Sequence, residues 1–442
     1  MARLFGTDGI RGAYGRDLTI ELTRALGRAA VRALGREHDR SPTLLIGRDT
    51  RLSGKPLEDA LVEGIVDEGG DVVLAGVVPT PAVAFLVPGL GIESGIVISA
   101  SHNQPGDNGI KFLDAGGYKL SDRLEGQIED EIGAGGGAAP RTGQVRPLPP
   151  DAPSYLDHVI GVAHRPLDGM RIVVDCANGA ASGFAPDVLR RLGADVVAIN
   201  ADGDGSRINV GSGALFPEVV AEAVVELGAD AGVAHDGDAD RAMFADAEGR
   251  VVDGDQVLAA SAIEMQERGT LTGDAVVATV MANVGFHRAM EEHGIRVVSA
   301  PVGDRYVLER MLEHDLALGG EQSGHVIFRE HATTGDGLVT AVRFLSLAAA
   351  RDVSVGELAN VMQRFPQVMI NVEVADKGRL DEAEEVWEAV RAREAQLDGT
   401  GRVLVRASGT EPLVRVMVEA ETEQLAREHA EAVAERVAEA LG

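Results

Sequence analysis

The sequence predicts an α/β protein of four domains, three mixed α/β units followed by a smaller C-terminal α+β unit. Three observations carry this. A chain of 442 residues exceeds the size at which one core keeps growing. Short apolar runs alternate with helix-period segments as far as about residue 364. From Phe365 the order changes to three strand-like runs and two acidic helices.

The first domain, 1–152, opens with a helix over Thr19 to Arg36. A strand follows at Thr43 to Gly47, then a helix opened by Pro56 and a strand at Asp71 to Ala75. Pro suits a first helical turn, where its missing N–H has no intrahelical partner to lose. The aperiodic Gly133–Pro140 run and the prolines from Pro147 to Pro153 mark its end. The second domain, 153–250, takes strands at Arg171 to Asp175, Asp195 to Ile199 and Asp230 to Ala234, with helices ending at Leu192 and Leu227. The third, 251–364, takes helices at Asp255 to Arg268 and Val284 to His293 and strands at Ala275 to Val280, Arg296 to Ser299 and Val326 to Phe328. The fourth, 365–442, takes strands at Val368 to Val374, Arg402 to Arg406 and Val414 to Glu419, with helices at Asp381 to Gln396 and Thr422 to Leu441. Similar size and similar loop placement suggest that the first three domains repeat one architecture.

Composition excludes several functions. A net charge of −29 repels nucleic-acid phosphates and anionic lipid, and no basic patch offsets it; neither nucleic acid nor membrane is an expected partner. No stretch has the apolar length of a membrane span. A single cysteine, Cys176, and an N-terminus without an apolar signal core fit a reducing cytoplasm. Of 41 basic residues only four are lysine, so Lys111 stands out where it occurs.

It occurs in Ser99-Ala-Ser-His-Asn-Gln-Pro-Gly-Asp-Asn-Gly-Ile-Lys111, a Gly-containing loop that gathers a hydroxyl, a histidine, asparagines and a lysine after the apolar run Gly95–Ser99. Ser101 is expected at the carboxyl end of a sheet, where α/β proteins bind ligands. No Gly-x-Ser-x-Gly elbow surrounds it, so phosphoryl transfer suits it better than acyl transfer.

Asp236, Asp238 and Asp240 alternate in Asp236-Gly-Asp-Ala-Asp-Arg241. In an extended loop three such carboxylates turn toward one point and suit a hard divalent cation; Ala247 at the twelfth position disfavours an EF-hand. Glu321, Ser323 and His325 alternate likewise, offering acceptors, a hydroxyl and a titratable ring to sugar hydroxyls. Arg406, Ser408, Gly409 and Thr410, with Arg415 in the next strand, combine guanidinium forks with Gly-permitted N–H groups as a phosphate cradle. Gly6-Thr-Asp-Gly-Ile-Arg11 and Gly47-Arg-Asp-Thr-Arg51 could also present cations to phosphate.

With these loops in that order, the chain resembles the α-D-phosphohexomutase superfamily over nearly its whole length. Phe5–Gly12, Val251–Gln256, Val302–Val307, Gly319–His325 and Thr333–Gly337 resemble its glucosamine-phosphate branch more than its phosphomannomutase branch. Two positions depart from the branch: Gln104 replaces a proline after Ser-His-Asn, and Ile208–Ala214 lacks a Cys-Gly-Ser.

The resemblance implies four domains around a central cleft, phosphoserine at Ser101, and Mg²⁺ held by Ser101, Asp236, Asp238 and Asp240. It implies a sugar-reading loop at Glu321, Ser323 and His325, and phosphate contacts from Arg406, Ser408, Gly409, Thr410 and Arg415. Thr7 and Arg11 join the substrate set, Arg241 and Lys111 give electrostatic support, and His102, Lys111 or His325 handles the hydroxyl proton. The implied reaction interconverts glucosamine 6-phosphate and glucosamine 1-phosphate, with glucosamine 1,6-bisphosphate as intermediate and activator, toward UDP-N-acetylglucosamine and the cell wall. A phosphomannomutase or phosphoglucomutase with the same mechanism is the alternative. A homodimer is compatible with this reading. A phosphatase is disfavoured, because a hydrolase has no need to grip a second phosphate.

Overall fold

The computed structural model describes residues 4–6, 8–133, 142–408 and 412–442. The chain forms two compact units: one from the stretches ending at Met281 and spanning Ile295–Val361, the other from Ala282–Gly294 and Met362–Gly442.

Among the described residues the larger unit holds three mixed sheets. The first has six strands, with Ser94–Ile98 parallel to Thr43–Arg48 and antiparallel to Asp107–Leu113. The second has five, with Ala231–His235 parallel to Arg171–Asp175 and antiparallel to Ala242–Asp246. The third has four, with Leu318–Gly320 parallel to Ala275–Thr279 and antiparallel to Val326–Phe328. All three repeat one arrangement: a strand with a parallel neighbour on one side turns through a polar loop into an antiparallel neighbour on the other. The serine, aspartate and glutamate–histidine loops are those three turns.

Central strands such as Ser94–Ile98, Ala231–His235 and Ala275–Thr279 are buried along their whole length, as expected of strands covered on both faces. Ile96 and Ile98 are fully buried, each contributing about 1.5–3 kcal/mol, which fixes the strand from which the serine loop leaves. Helix Gly254–Glu267 starts with a capping box made by Asp253 and Gln256. Helix Gly337–Arg351 is capped by Asp336, whose carboxylate accepts from the N–H groups of Leu338 and Val339.

The smaller unit is a three-stranded antiparallel sheet, Gln367–Glu373, Leu413–Glu419 and Arg402–Ala407. Helices Glu384–Leu397 and Glu423–Leu441 share its core with Val386, Val414, Val418 and Val433. Helix Val284–Glu292 belongs to this unit: Asn283, its N-cap, donates to Phe365 O, and the Val284 N–H donates to Glu419.

Candidate active site

Ser101 lies three residues beyond the Ser94–Ile98 strand at φ 49°, a left-handed conformation that a non-glycine residue keeps only where its surroundings hold it. Its N–H donates to Ser99 Oγ at 2.9 Å and its carbonyl accepts from Asn209 Nδ2 at 2.8 Å. The side chain is thereby aimed at the second sheet. Ser101 Oγ donates to Asp236 Oδ2 at 2.7 Å and lies 3.3 Å from His102 Nδ1. Burial, with Arg241 and Arg11 nearby, lowers His102 to about 4, so its ring is neutral at physiological pH.

Asp236, Asp238 and Asp240 are buried, and one carboxylate oxygen from each lies within 4.8 Å of the others. They converge through a turn rather than the extended loop that alternation suggested. Ala239 takes φ 59° and its N–H donates to Asp236 O at 3.1 Å. Thr80, at the start of helix Thr80–Leu90, fastens Asp238 twice: N–H to the Asp238 carbonyl at 3.0 Å and Oγ1 to Oδ2 at 2.5 Å.

Burial and the neighbouring Asp238 raise Asp236 to about 6, and burial with the other two carboxylates raises Asp240 well above its ordinary range. Burial acts the same way on Asp238, but Lys111, Thr80 and Arg11 outweigh it and lower that group. Asp238 Oδ1 and Asp240 Oδ1 are buried without a hydrogen-bond partner. Carboxylates clustered and orphaned in this way fit a hard divalent cation with oxygen ligands. Arg241, half-buried, donates its N–H to Asp236 Oδ1 at 3.3 Å, with its Nε 3.9 Å from Asp240.

Lys111 was expected on the serine loop but lies inside the strand Asp107–Leu113. That loop is a hairpin connection, and strand pairing, Val97 with Lys111, sets the lysine's position. Its ammonium pairs with Asp8, which also holds Arg11, and lies 3.8 Å from Asp304. Burial alone would raise Asp304, yet Lys111 and His325 bring it down to about 2.

Glu321, Ser323 and His325 occupy the third turn. Glu321 accepts from the Gly303 N–H at 3.0 Å, and Gly324, at φ 88°, closes the turn by donating to Glu321 O. Ser323 Oγ and both ring nitrogens of His325 are buried without hydrogen-bond partners. Burial lowers His325, whose Nε2 is 3.9 Å from Asp240. Gly335 lies against that ring so closely that a Cβ there would meet Nε2 at 2.2 Å.

In the smaller unit Arg406 stands directly opposite Arg415 across the two hairpin strands. Burial, then Arg415, lowers Arg406. Ser408 is buried; its N–H donates to Leu413 O and its carbonyl accepts from Lys377. Thr7, Gly409 and Thr410 lie outside the described residues.

One expectation is corrected: Arg51 cannot present a cation to phosphate. Its side chain is fully buried and every N–H it has is engaged within the protein. Thr80, Asn209 and Asp304 escaped the sequence reading of the site. The contacts that tie them to the site, Thr80 with Asp238, Asn209 with Asn103 and Asp304 with Lys111, are made 106 or more residues away in the chain.

Four family models cover nearly all of the chain: Phosphoglucomutase/phosphomannomutase alpha/beta/alpha domains I, II and III at residues 2–136, 153–249 and 253–365, and the C-terminal domain at 369–436. The chain is 52% identical over 448 residues to the phosphoglucosamine mutase of Frankia casuarinae, covering 99% of this chain and 98% of that one. It is 49% identical over 452 residues to that of Streptomyces coelicolor, covering all of both. The chain belongs to the phosphoglucosamine mutase family of the α-D-phosphohexomutases. Among solved structures, a phosphoglucomutase/phosphomannomutase family protein from Burkholderia thailandensis superposes with a TM-score of 0.80 at 26% identity, covering 99% of this chain and 97% of that one. Aspergillus fumigatus N-acetylphosphoglucosamine mutase, in complex with GlcNAc-6P and magnesium, shares the fold at TM-score 0.65 and 18% identity, covering 99% and 96%. As a member of the phosphoglucosamine mutase family this protein is an isomerase of the mutase class, and no helix among the described residues is long and apolar enough to cross a membrane.

Proposed function

We propose that this enzyme interconverts glucosamine 6-phosphate and glucosamine 1-phosphate, with Ser101 carrying the transferred phosphate. The carrying observation is the 2.7 Å contact of Ser101 Oγ with Asp236 inside the aspartate cluster. Ser101 phosphate passes to the free hydroxyl of the bound monophosphate, giving glucosamine 1,6-bisphosphate and free Ser101. The bisphosphate reorients and returns its other phosphate to Ser101, leaving the isomeric monophosphate. The same bisphosphate from solution, giving one phosphate to Ser101, primes the enzyme.

Asp236, Asp238 and Asp240, with a Ser101 phosphate oxygen, would hold Mg²⁺. When bound, the ion offsets charge on the transferring phosphoryl group. Arg241 adds a half-buried positive charge beside it. The proton of the sugar hydroxyl is assigned to Lys111 or His325, which line one small cavity with Asp304, Thr333 and Thr334, while neutral His102 orients Ser101 Oγ. Glu321 and Ser323 read the sugar, and Thr7 and Arg11 contact substrate. Arg406, Ser408, Gly409, Thr410 and Arg415 take the phosphate that is not reacting. Domain limits near 152, 250 and 364 and a cytoplasmic location complete the reading.

Initial rates on the 1-phosphates of glucosamine, mannose and glucose test it: kcat/KM should favour glucosamine, and a preference for mannose or glucose would move the chain to the alternative substrate with its mechanism unchanged.

A further inference from the structure

We propose that Arg51 is a positioning residue for phosphoryl transfer, locking Ser101 in its left-handed conformation; this rests on Ser101 being the phosphate carrier. Arginine has five N–H donors in a rigid planar fork, and here all five are directed. Nε donates to Asp49 at 2.9 Å. One terminal nitrogen donates to Gln104 O and to Asp107 O at 3.1 Å, the other to Ser101 O at 2.9 Å and Asn103 O at 2.8 Å. Four carbonyls of one seven-residue loop thus converge on one guanidinium whose side chain is 0% exposed.

The same group reaches the other side of Ser101. Asp49, held by Arg51, accepts from Ser99 Oγ at 2.6 Å, and Ser99 Oγ accepts the Ser101 N–H at 2.9 Å. Both backbone groups of Ser101 are therefore tied to Arg51, one directly and one through Asp49 and Ser99. Each turnover adds charge to Ser101 Oγ and removes it again, and the loop must hold the oxygen in line with its acceptor in both states. A fully saturated guanidinium supplies this without competing for phosphate. Lysine cannot replace it, because three donors on a point charge cannot span four carbonyls and a carboxylate.

The test uses full-length Arg51→Lys and Ser99→Ala, each loaded with glucosamine 1,6-bisphosphate. Ser101 phosphate uptake is followed by mass, and kcat and KM are measured beside thermal unfolding. Misplacement of a reacting atom by about 1 Å costs about 100-fold in rate, so a folded Arg51→Lys should lose about that factor in kcat while KM stays within about threefold. Ser99→Ala, which removes the amide tether and its link to Asp49 but keeps the four carbonyl contacts of Arg51, should lose kcat in the same way to a smaller extent. Arg51→Lys that folds and keeps wild-type kcat overturns the proposal, as does wild-type kcat in Ser99→Ala should Arg51→Lys not fold. Phosphate uptake by Ser101→Ala would instead show that Ser101 is not the carrier, a failure told apart from that of the positioning role.

Discussion

Thr80 and Asp238 are joined by two hydrogen bonds, backbone to backbone at 3.0 Å and hydroxyl to carboxylate at 2.5 Å, although 158 residues separate them. The first sheet's domain thereby orients a carboxylate of the second. Thr80→Val keeps the shape and removes the hydroxyl. Loss of a group that orients a ligand typically costs 10–100-fold in metal affinity, so Mg²⁺ titration of the variant should show affinity weaker by about tenfold or more with the fold intact. Unchanged affinity would place Asp238 outside the metal site.

Asp238→Asn addresses the cluster itself. It replaces a cation-binding carboxylate by a neutral amide and should slow transfer and abolish Mg²⁺-dependent stabilisation, while relieving repulsion in the metal-free protein. Calorimetric titration with Mg²⁺ reads this; binding equal to that of the wild type would refute the assignment.

The pH response follows from the raised carboxyls. Asp236 stands at about 6 in the folded, metal-free protein against an ordinary 3.8, with burial and Asp238 as causes. A raised folded value contributes stability that is present below the unfolded value and lost as pH rises through about 6. Metal-free protein should lose this contribution as pH rises from about 4 to about 6. Mg²⁺ needs ionised ligands, so the rise in unfolding temperature on adding Mg²⁺ should be larger at pH 8 than at pH 5.5. An equal rise at both would contradict the cluster as the binding site.

Arg406 and Arg415 face each other across a strand pair, where like charges are unfavourable unless an anion joins them. Arg406→Ala or Arg415→Ala should raise KM and release more glucosamine 1,6-bisphosphate per turnover while phospho-Ser101 still discharges. Unchanged retention of the bisphosphate would make the hairpin structural.

Buried strands were legible because Val and Ile runs bounded by turn residues have no other economical fold; Arg171–Asp175 and Val326–Phe328 appear where the sequence places them, as does the half-buried edge strand Asp195–Ile199. Helices Thr80–Leu90, Asp304–Glu313 and Gly337–Arg351 were not. The first is apolar nearly all round and carries two prolines, and the third is buried on most of its surface, so neither shows a clear polar face. Asp304 opens the second without a side-chain cap. The aspartate cluster was legible from composition and spacing, but not its turn, because Ala239 adopts a left-handed conformation that its side chain does not favour. Arg51 was misread for a physical reason: a sequence shows a cation and does not show that four carbonyls already surround it.

Whether Ser101 is the carrier is decided by the intact mass of wild-type and Ser101→Ala protein after incubation with glucosamine 1,6-bisphosphate, followed by peptide mapping and mutase assay. The wild type should gain a single phosphate located on Ser101 and lose it to added glucosamine 6-phosphate. Ser101→Ala should gain none and fall in activity by about a thousandfold or more. A phosphate on any other residue that discharges to the sugar, or near-wild-type turnover by Ser101→Ala, would contradict the mechanism.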